Sequence, residues 1–298
     1  MHDIPRQFNL DLLKECHSLM TWMDVCESLS NMGLGPRIEN SGRVLSNKSW
    51  FATNQFTLEI IFHNRMKQYK CLTNDSSLAS AIYVPFYPGF AVSRYLWGFN
   101  ISVRDAVSLD LVKWLAQRPE WKRMWGRDHF LVGGRIAWDF RRLTDNDTAW
   151  GSKLMFLPES KNMTLLSIEG TPRPRCNSLT QLNPSPRSAY EQYLWHLPKN
   201  YTKYSVFIPQ DDFKNKKIVI SERLLRIPKK EVLAMREEVI KLIPRIVYAD
   251  PRYRLENFED AFDIAVKGVL EIVEAIRRDI KEGKDLTIGF EELNGIVL

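Results

Sequence analysis

Residues 126–142 read GRDHFLVGGRIAWDFRR, and the fold turns on them. Phe130, Leu131 and Val132 make a short apolar run, bounded by charged residues on one side and by Gly133 and Gly134 on the other. A run this short, closed by glycines, reads as a strand buried on both faces that enters a tight turn. AIYVPF (81–86) and MTLLSIE (163–169) have the same character, and KLMFLPE (153–159) reads as a further strand. Helical spacing separates them. Phe56, Ile60, Ile61 and Met66 share one helical face, and a second helix runs through Arg94, Tyr95 and Trp97. Ser102 is placed to cap a third, with Asp105 at the acidic position of a capping box, Val107, Leu111, Val112 and Leu115 inward, and an end near Arg118 and Pro119. Strand alternating with helix predicts an α/β fold with a parallel sheet.

Ligands of such a sheet gather outside the carboxyl ends of its strands. Arg135, Trp138 and Asp139 follow the 129–135 strand, and they suit a sugar: an aromatic face to stack on, and polar groups for hydroxyls. Asp128 and His129, at the strand's start, carry the groups a general base needs. A capping Asp, a packed His and a core Trp would account for the same letters. The GGR turn lacks the spacing of a dinucleotide-binding loop.

Outward from this region the pattern loosens. Residues 1–50 are loop-rich, broken by Gly33, Gly35 and Pro36. TPRPRCNSLTQLNPSPR (171–187) has four prolines and no apolar period, which marks a linker. Beyond it, 204–209 and 217–222 resemble strands, and a helix over 229–248 should kink at Pro244. The last helix is the clearest. Asn257 is its expected N-cap with Asp260 at N3; Phe258, Phe262, Val266, Val269, Val273, Ile276 and Ile280 form one stripe, and Gly283 ends it. The expected organisation is therefore a domain over 1–170, a linker over 171–187 and a second domain over 188–298.

Composition narrows the function. The net charge is +6 over 298 residues. The surplus is local: Lys214, Lys216, Lys217, Arg223, Arg226, Lys229 and Lys230 stand against Glu222. Aromatics are not interleaved with this patch, and no nucleic-acid motif occurs, so nucleic acid is not an expected partner. The four cysteines form no CxxC, and no His/Cys cluster has zinc spacing, so no metal is expected. Cys16 and Cys26 are close enough to close a small loop in an oxidising compartment, or to remain buried thiols in a reducing one. Six of sixteen asparagines head Asn-x-Ser/Thr triplets: Asn47, Asn74, Asn100, Asn146, Asn162 and Asn200. Chance would give about two, and the excess points to the secretory lumen. Asp147, at its middle position, makes Asn146 a poor acceptor. The opening MHDIPRQFNL has no apolar signal core, and no run approaches a spanning helix, so the anchor that a lumenal protein would use is not in this stretch.

Long stretches carry a resemblance. YKCLTNDSSLASAIYVPFYPGFAVSRYLWGFNIS (69–102), WLAQRPEWKRMWGRDHFLVGGRIAWDFRRL (114–143), YLWHLPKNYTKYSVFIP (193–209) and IPRIVYADP (243–251) are very similar to the xyloglucan galactosyltransferase group of plant exostosin-type glycosyltransferases. MHDIPRQFN, LLKEC, ATNQF and HNRMKQY match the same family. The resemblance implies a GT-B-like fold of two facing Rossmann-type halves. It also implies a Golgi membrane protein acting on the lumenal side, other Golgi glycosyltransferases as neighbours, no cofactor, and inverting transfer from UDP-galactose to xylosyl side chains of xyloglucan. Asp128 and His129 then become catalytic candidates, and Arg135, Trp138 and Asp139 acceptor-binding ones. The similarity stops at Glu169 and resumes near Ala189, omitting most of the nucleotide-sugar-binding half, which leaves a truncated C-terminal half whose activity is doubtful. The alternatives are a non-catalytic relative that binds xyloglucan or a partner enzyme, and an unstable fragment.

Overall fold

A computed structural model describes residues 1–38, 50–168, 193, 195–215, 217–253, 255, 259–284 and 296–297. The chain divides into two units, one of Met1–Thr171, Asp250–Arg254 and Lys267–Leu298, the other of Pro172–Ala249 and Leu255–Val266. This differs from the linear division expected at residue 188, because two later segments group with the first unit. The 171–187 stretch lies outside the described residues, as do Asn47, Phe258 and the expected cap Asn257.

In the first unit, β1 (Ile82–Tyr83), β2 (His129–Gly133), β3 (Thr164–Ser167) and β4 (Ile296–Val297) lie side by side in that order, all parallel. Ile82 pairs with His129, Phe130 with Thr164, and Leu166 with Ile296. All five residues of β2 are buried, as a run without alternation requires of an inner strand. The edge beside β1 receives the chain's own start, where the His2 N–H donates to the Tyr83 carbonyl at 3.0 Å.

Helices α1 (Leu58–Lys67), α2 (Pro88–Tyr95), α3 (Ile101–Ala116) and α4 (Pro119–Met124) complete this unit among the described residues, with Pro opening both α2 and α4 where its missing N–H costs nothing. Phe86, Phe90, Leu111, Leu115, Leu131, Phe140 and Leu165 form the centre of one apolar core. The cap of α3 is Asn100, whose Oδ1 accepts the Val103 N–H at 3.1 Å, so Ser102 falls inside the first turn instead. The expected 153–159 strand is a 3-10 turn at Leu154–Phe156. Its would-be ladder donor, the Lys153 N–H, is taken by the Asp105 carboxylate at 3.0 Å, and Leu154 and Met155 both pack inward.

The second unit is helical where described. It holds α5 (Gln210–Lys214), α6 (Ile220–Leu225), α7 (Lys229–Ile246) and the first turns of α8 (Ala261–Lys281). The expected strand at 217–222 is thus overturned by α6: Ser221–Leu225 are helix-compatible residues, and among the described residues no neighbouring strand competes for them. Residues 204–209 run without a ladder. Pro244 sits in the last turn of an unbroken α7. That helix buries only Leu242, and Leu233, Val239, Ile240 and Ile243 stand exposed. The start of α8 is a reciprocal cap three residues later than expected. Asp260 Oδ1 accepts the Asp263 N–H at 3.1 Å, and Asp263 Oδ2 accepts the Asp260 N–H at 3.3 Å. Phe262, Val266, Val269, Val273 and Ile276 are buried along its stripe, and Gly283, at φ +65°, stops it. Among the described residues no helix is long and apolar enough to cross a membrane.

Candidate functional site

The two ends of β2 differ in kind. At its amino end, Asp128 and His129 are wholly buried. His129 Nδ1 meets Asp128 Oδ1 at 2.7 Å, Arg123 Nη2 donates to Asp128 Oδ2 at 2.9 Å, and His2 Nε2 lies 3.0 Å from His129 Nε2. The Trp121 ring closes over His129 with centroids 4.9 Å apart. Burial alone would raise the Asp128 carboxyl, but the hydrogen bonds and charges of His129 and Arg123 outweigh it and hold the group below its usual range. Every ring nitrogen and carboxylate oxygen of the pair is therefore engaged by protein. The strand also separates the pair from Arg135 by on the order of 15 Å. Asp128 and His129, expected to line one site with Arg135, Trp138 and Asp139, instead lie enclosed by protein at the opposite end of the strand, where their hydrogen bonds anchor it.

At the carboxyl end the residues do converge. Arg135 Nε donates to Asp139 Oδ2 at 2.5 Å, and its Nη1 donates to Ser93 Oγ on α2 at 3.0 Å. Trp150 Nε1 donates to the other Asp139 oxygen at 2.6 Å. The guanidinium lies 5.4 Å from the ring centres of both Trp22 and Phe56, within cation–π range. Arg135 and Asp139 are buried, whereas Trp22, Trp138 and Trp150 are 45%, 48% and 40% exposed. The result is a fixed, internally neutralised ion pair rimmed by tryptophan faces. Trp138 is the exposed member of a 3-10 turn (Ala137–Phe140) whose other residues pack inward.

Glu59 is the residue that sequence reasoning missed. It lies on the inner face of α1 and is fully buried, and its Oε1 accepts the N–H of Gly89 at 2.5 Å and of Gly134 at 2.8 Å. It thereby ties α2 to the turn that launches Arg135. The glycines permit this: a Cβ on Gly89 would sit 2.6 Å from that oxygen, and one on Gly134 would sit 2.7 Å from the Phe56 carbonyl. The signal was a lone acidic residue within an apolar face. Burial pushes the Glu59 carboxyl up to about 8, against the pull of the Gly134, Gly89 and Phe90 N–H groups and of Arg135, and its Oε2 has no hydrogen-bond partner among the described residues.

The pH dependence has a definite sign. With its pKa raised from 4.5 to about 8, the folded Glu59 binds the proton more tightly than the unfolded chain does, so its contribution to stability is full below 4.5 and declines as pH rises to about 8. His2 and His63, lowered by burial to about 4, act in the opposite sense up to their ordinary 6.5. The informative window is therefore pH 6.5–8. Glu59→Gln keeps an acceptor for the two glycines and cannot ionise. Its melting temperature relative to the parent is expected to rise across that window, by a difference worth up to about 2 kcal/mol. Parallel melting curves for parent and variant would refute the buried proton.

Elsewhere, Cys16 and Cys26 form a disulfide with Cα atoms 4.9 Å apart, closing the first turns over the buried Leu19, Met20 and Val25. On chain-entropy grounds such a loop contributes roughly 2–3 kcal/mol. Among the described residues, Cys16, His17 and Cys26 are also the group whose ligand atoms lie close enough to share a metal, but the two sulfurs are spent on each other. Of the triplet asparagines, Asn74, Asn100, Asn146 and Asn200 are exposed and Asn162 is half-buried, its amide donating to the Trp125 carbonyl.

Comparison with known proteins places these features in context. Residues 1–191 match the Exostosin GT47 domain. The chain is 43% identical over 392 residues to the xyloglucan galactosyltransferase MUR3 of Arabidopsis thaliana, covering 95% of this chain and 63% of that protein. It is 39% identical over 398 residues to the probable xyloglucan galactosyltransferase GT12, and 42% over 384 residues to GT14, both of the same plant, with 96% and 92% of this chain and 78% and 74% of those proteins covered. The chain thus spans less than two thirds of the first relative. The aligned region of that relative is also longer than the 298 residues available, so at least 94 of its positions have no counterpart here. No solved structure matches.

Proposed function

The chain belongs to the exostosin GT47 family, and from that premise we propose that it holds the acceptor side of a galactosyltransferase site and binds xyloglucan without completing transfer from UDP-galactose. The observation that carries this is the Arg135–Asp139 pair at the carboxyl end of β2, immobilised by Ser93 and Trp150 and faced by Trp22, with Trp138 exposed one residue before Asp139. Xyloglucan is uncharged, and the buried, bridged pair beneath the tryptophans presents it with no net field. Exposed indole faces suit the apolar faces of its sugar rings.

In this reading the parallel sheet is the first of two facing halves of a GT-B fold. We assign the missing positions to the 169–189 interruption, where the nucleotide-sugar-binding half is expected. No metal or organic cofactor takes part. The native setting is the lumenal side of the Golgi membrane among other glycosyltransferases. The disulfide and the exposed Asn74, Asn100 and Asn200 support it. Material secreted behind an added signal sequence is expected to shift in gel mobility after amidase digestion of N-linked glycans, and an unshifted band would remove the lumenal assignment.

The test of the acceptor assignment is titration of the oxidised chain with the galactose-free xyloglucan heptasaccharide. Trp138→Ala removes an exposed face without touching the core and is expected to weaken binding about 30-fold, the scale of a truncated tryptophan anchor near 2 kcal/mol. Equal affinity in parent and variant would exclude Trp138 from the acceptor surface.

A further inference from the structure

Beside the Arg135 site lies an open cleft of about 360 Å³, formed where the chain passes from α2 into α3 and faces residues 147–150. Trp97, Phe99, Asn100, Arg104, Asp147 and Trp150 line it. Trp97 is 49% exposed and meets Trp150 edge to face, with centroids 5.1 Å apart and planes at 79°. One ring thus offers its face to the cleft while the other braces it.

The walls are fixed rather than accidental. Arg104 Nη1 donates to the Ala149 carbonyl at 2.6 Å and Nη2 to the Asp147 carbonyl at 2.7 Å, while Asp147 Oδ1 accepts the first N–H of α3, from Ile101, at 2.7 Å. Arg104 Nε is buried without a hydrogen-bond partner among the described residues. The cleft therefore has a rigid rim, and its single cation is matched by a single carboxylate. That balance favours a neutral ligand over a nucleotide or an acidic peptide, and the volume is within the range of small-molecule sites. Continuity is physical: the same Trp150 that lines the cleft donates its indole N–H to Asp139.

We propose that this cleft is a second acceptor subsite, which takes the neutral β-linked glucan backbone of the polysaccharide where it runs on past the sugar held at Arg135 and Trp138. The proposal rests on the acceptor reading above and extends it from one repeat of the polymer to a longer run. Its consequence is selection for chain length, with Trp97 as the residue that sets it.

Calorimetry on oxidised protein from a bacterial periplasm, which leaves Asn100 free of N-linked sugar, separates the two ideas. The probes are the galactose-free heptasaccharide, one repeat long, and its two-repeat tetradecasaccharide. The parent is expected to bind the longer ligand about tenfold more tightly, the scale of one added aromatic anchor. Trp97→Ala should abolish that gain and leave heptasaccharide affinity unchanged. Thr148→Trp, which fills the cleft from an exposed rim position, should do the same, and it keeps the test valid if Trp97→Ala fails to fold. A length gain that survives in both variants, or no gain in the parent, overturns the subsite and leaves the acceptor reading standing. If the parent binds neither ligand, the acceptor reading fails and the subsite fails with it.

Discussion

Given UDP-galactose and galactose-free xyloglucan, the 298-residue chain is expected to release no galactosylated product above background, whereas a chimera carrying the relatives' additional positions between 169 and 189 should gain at least about 1,000-fold. Inverting transfer needs a base for the acceptor proton and stabilisation of the negative charge that grows on the departing diphosphate. Without a metal, that stabilisation must come from cationic side chains and helix amino ends. Each preorganised donor of this kind is worth about 100–1,000-fold in rate, and the set assigned to the absent positions would be lost together. What remains does not replace it. Arg135 is spent on Asp139 and Ser93, and Asp128 and His129 are sealed at the other end of β2. The basic residues described on α5–α7 sit on exposed helix surfaces. Turnover by the chain as it stands would show that donor binding resides in the residues it retains.

The second large effect concerns Arg135. Arg135→Ala would leave the Asp139 carboxylate buried with Trp150 as its remaining neutral donor, remove the anchor on Ser93, and open space between Trp22 and Phe56. Breaking a buried pair from one side costs about 3–5 kcal/mol, a large share of any domain's stability. The variant is expected to show a lower urea midpoint and no detectable heptasaccharide binding. Arg135→Lys should recover part of the stability, since an ammonium can reach one partner but cannot span Asp139 and Ser93 as a planar fork does. An alanine variant with parental midpoint and affinity would mean that the pair organises nothing.

Three strands were legible because each is a short apolar run with clear boundaries. What failed to show was set by distant partners. KLMFLPE reads as a strand until Asp105, far back in the chain, takes its first donor. Asp128 and His129 read as a base pair in waiting because sequence cannot show His2 and Trp121 closing over them. Arg135, Trp138 and Asp139 were visible as a candidate cluster. Their frame of Trp22, Phe56, Glu59, Ser93 and Trp150 comes from four other segments and has no local signature. The α8 stripe was plain, yet its start was misplaced by three residues because Asp260 serves as the cap rather than as the third helical residue. β4, only two residues long, carried no signal at all.

The central claim is an acceptor site kept where a donor site is lost, and paired calorimetric titrations of one preparation test it most directly. In one cell the oxidised chain meets the galactose-free heptasaccharide, and in the other it meets UDP-galactose. The account predicts saturable binding of the sugar, sensitive to Trp138→Ala, and no heat above dilution with the nucleotide-sugar. Micromolar binding of UDP-galactose with no response to the heptasaccharide would contradict it.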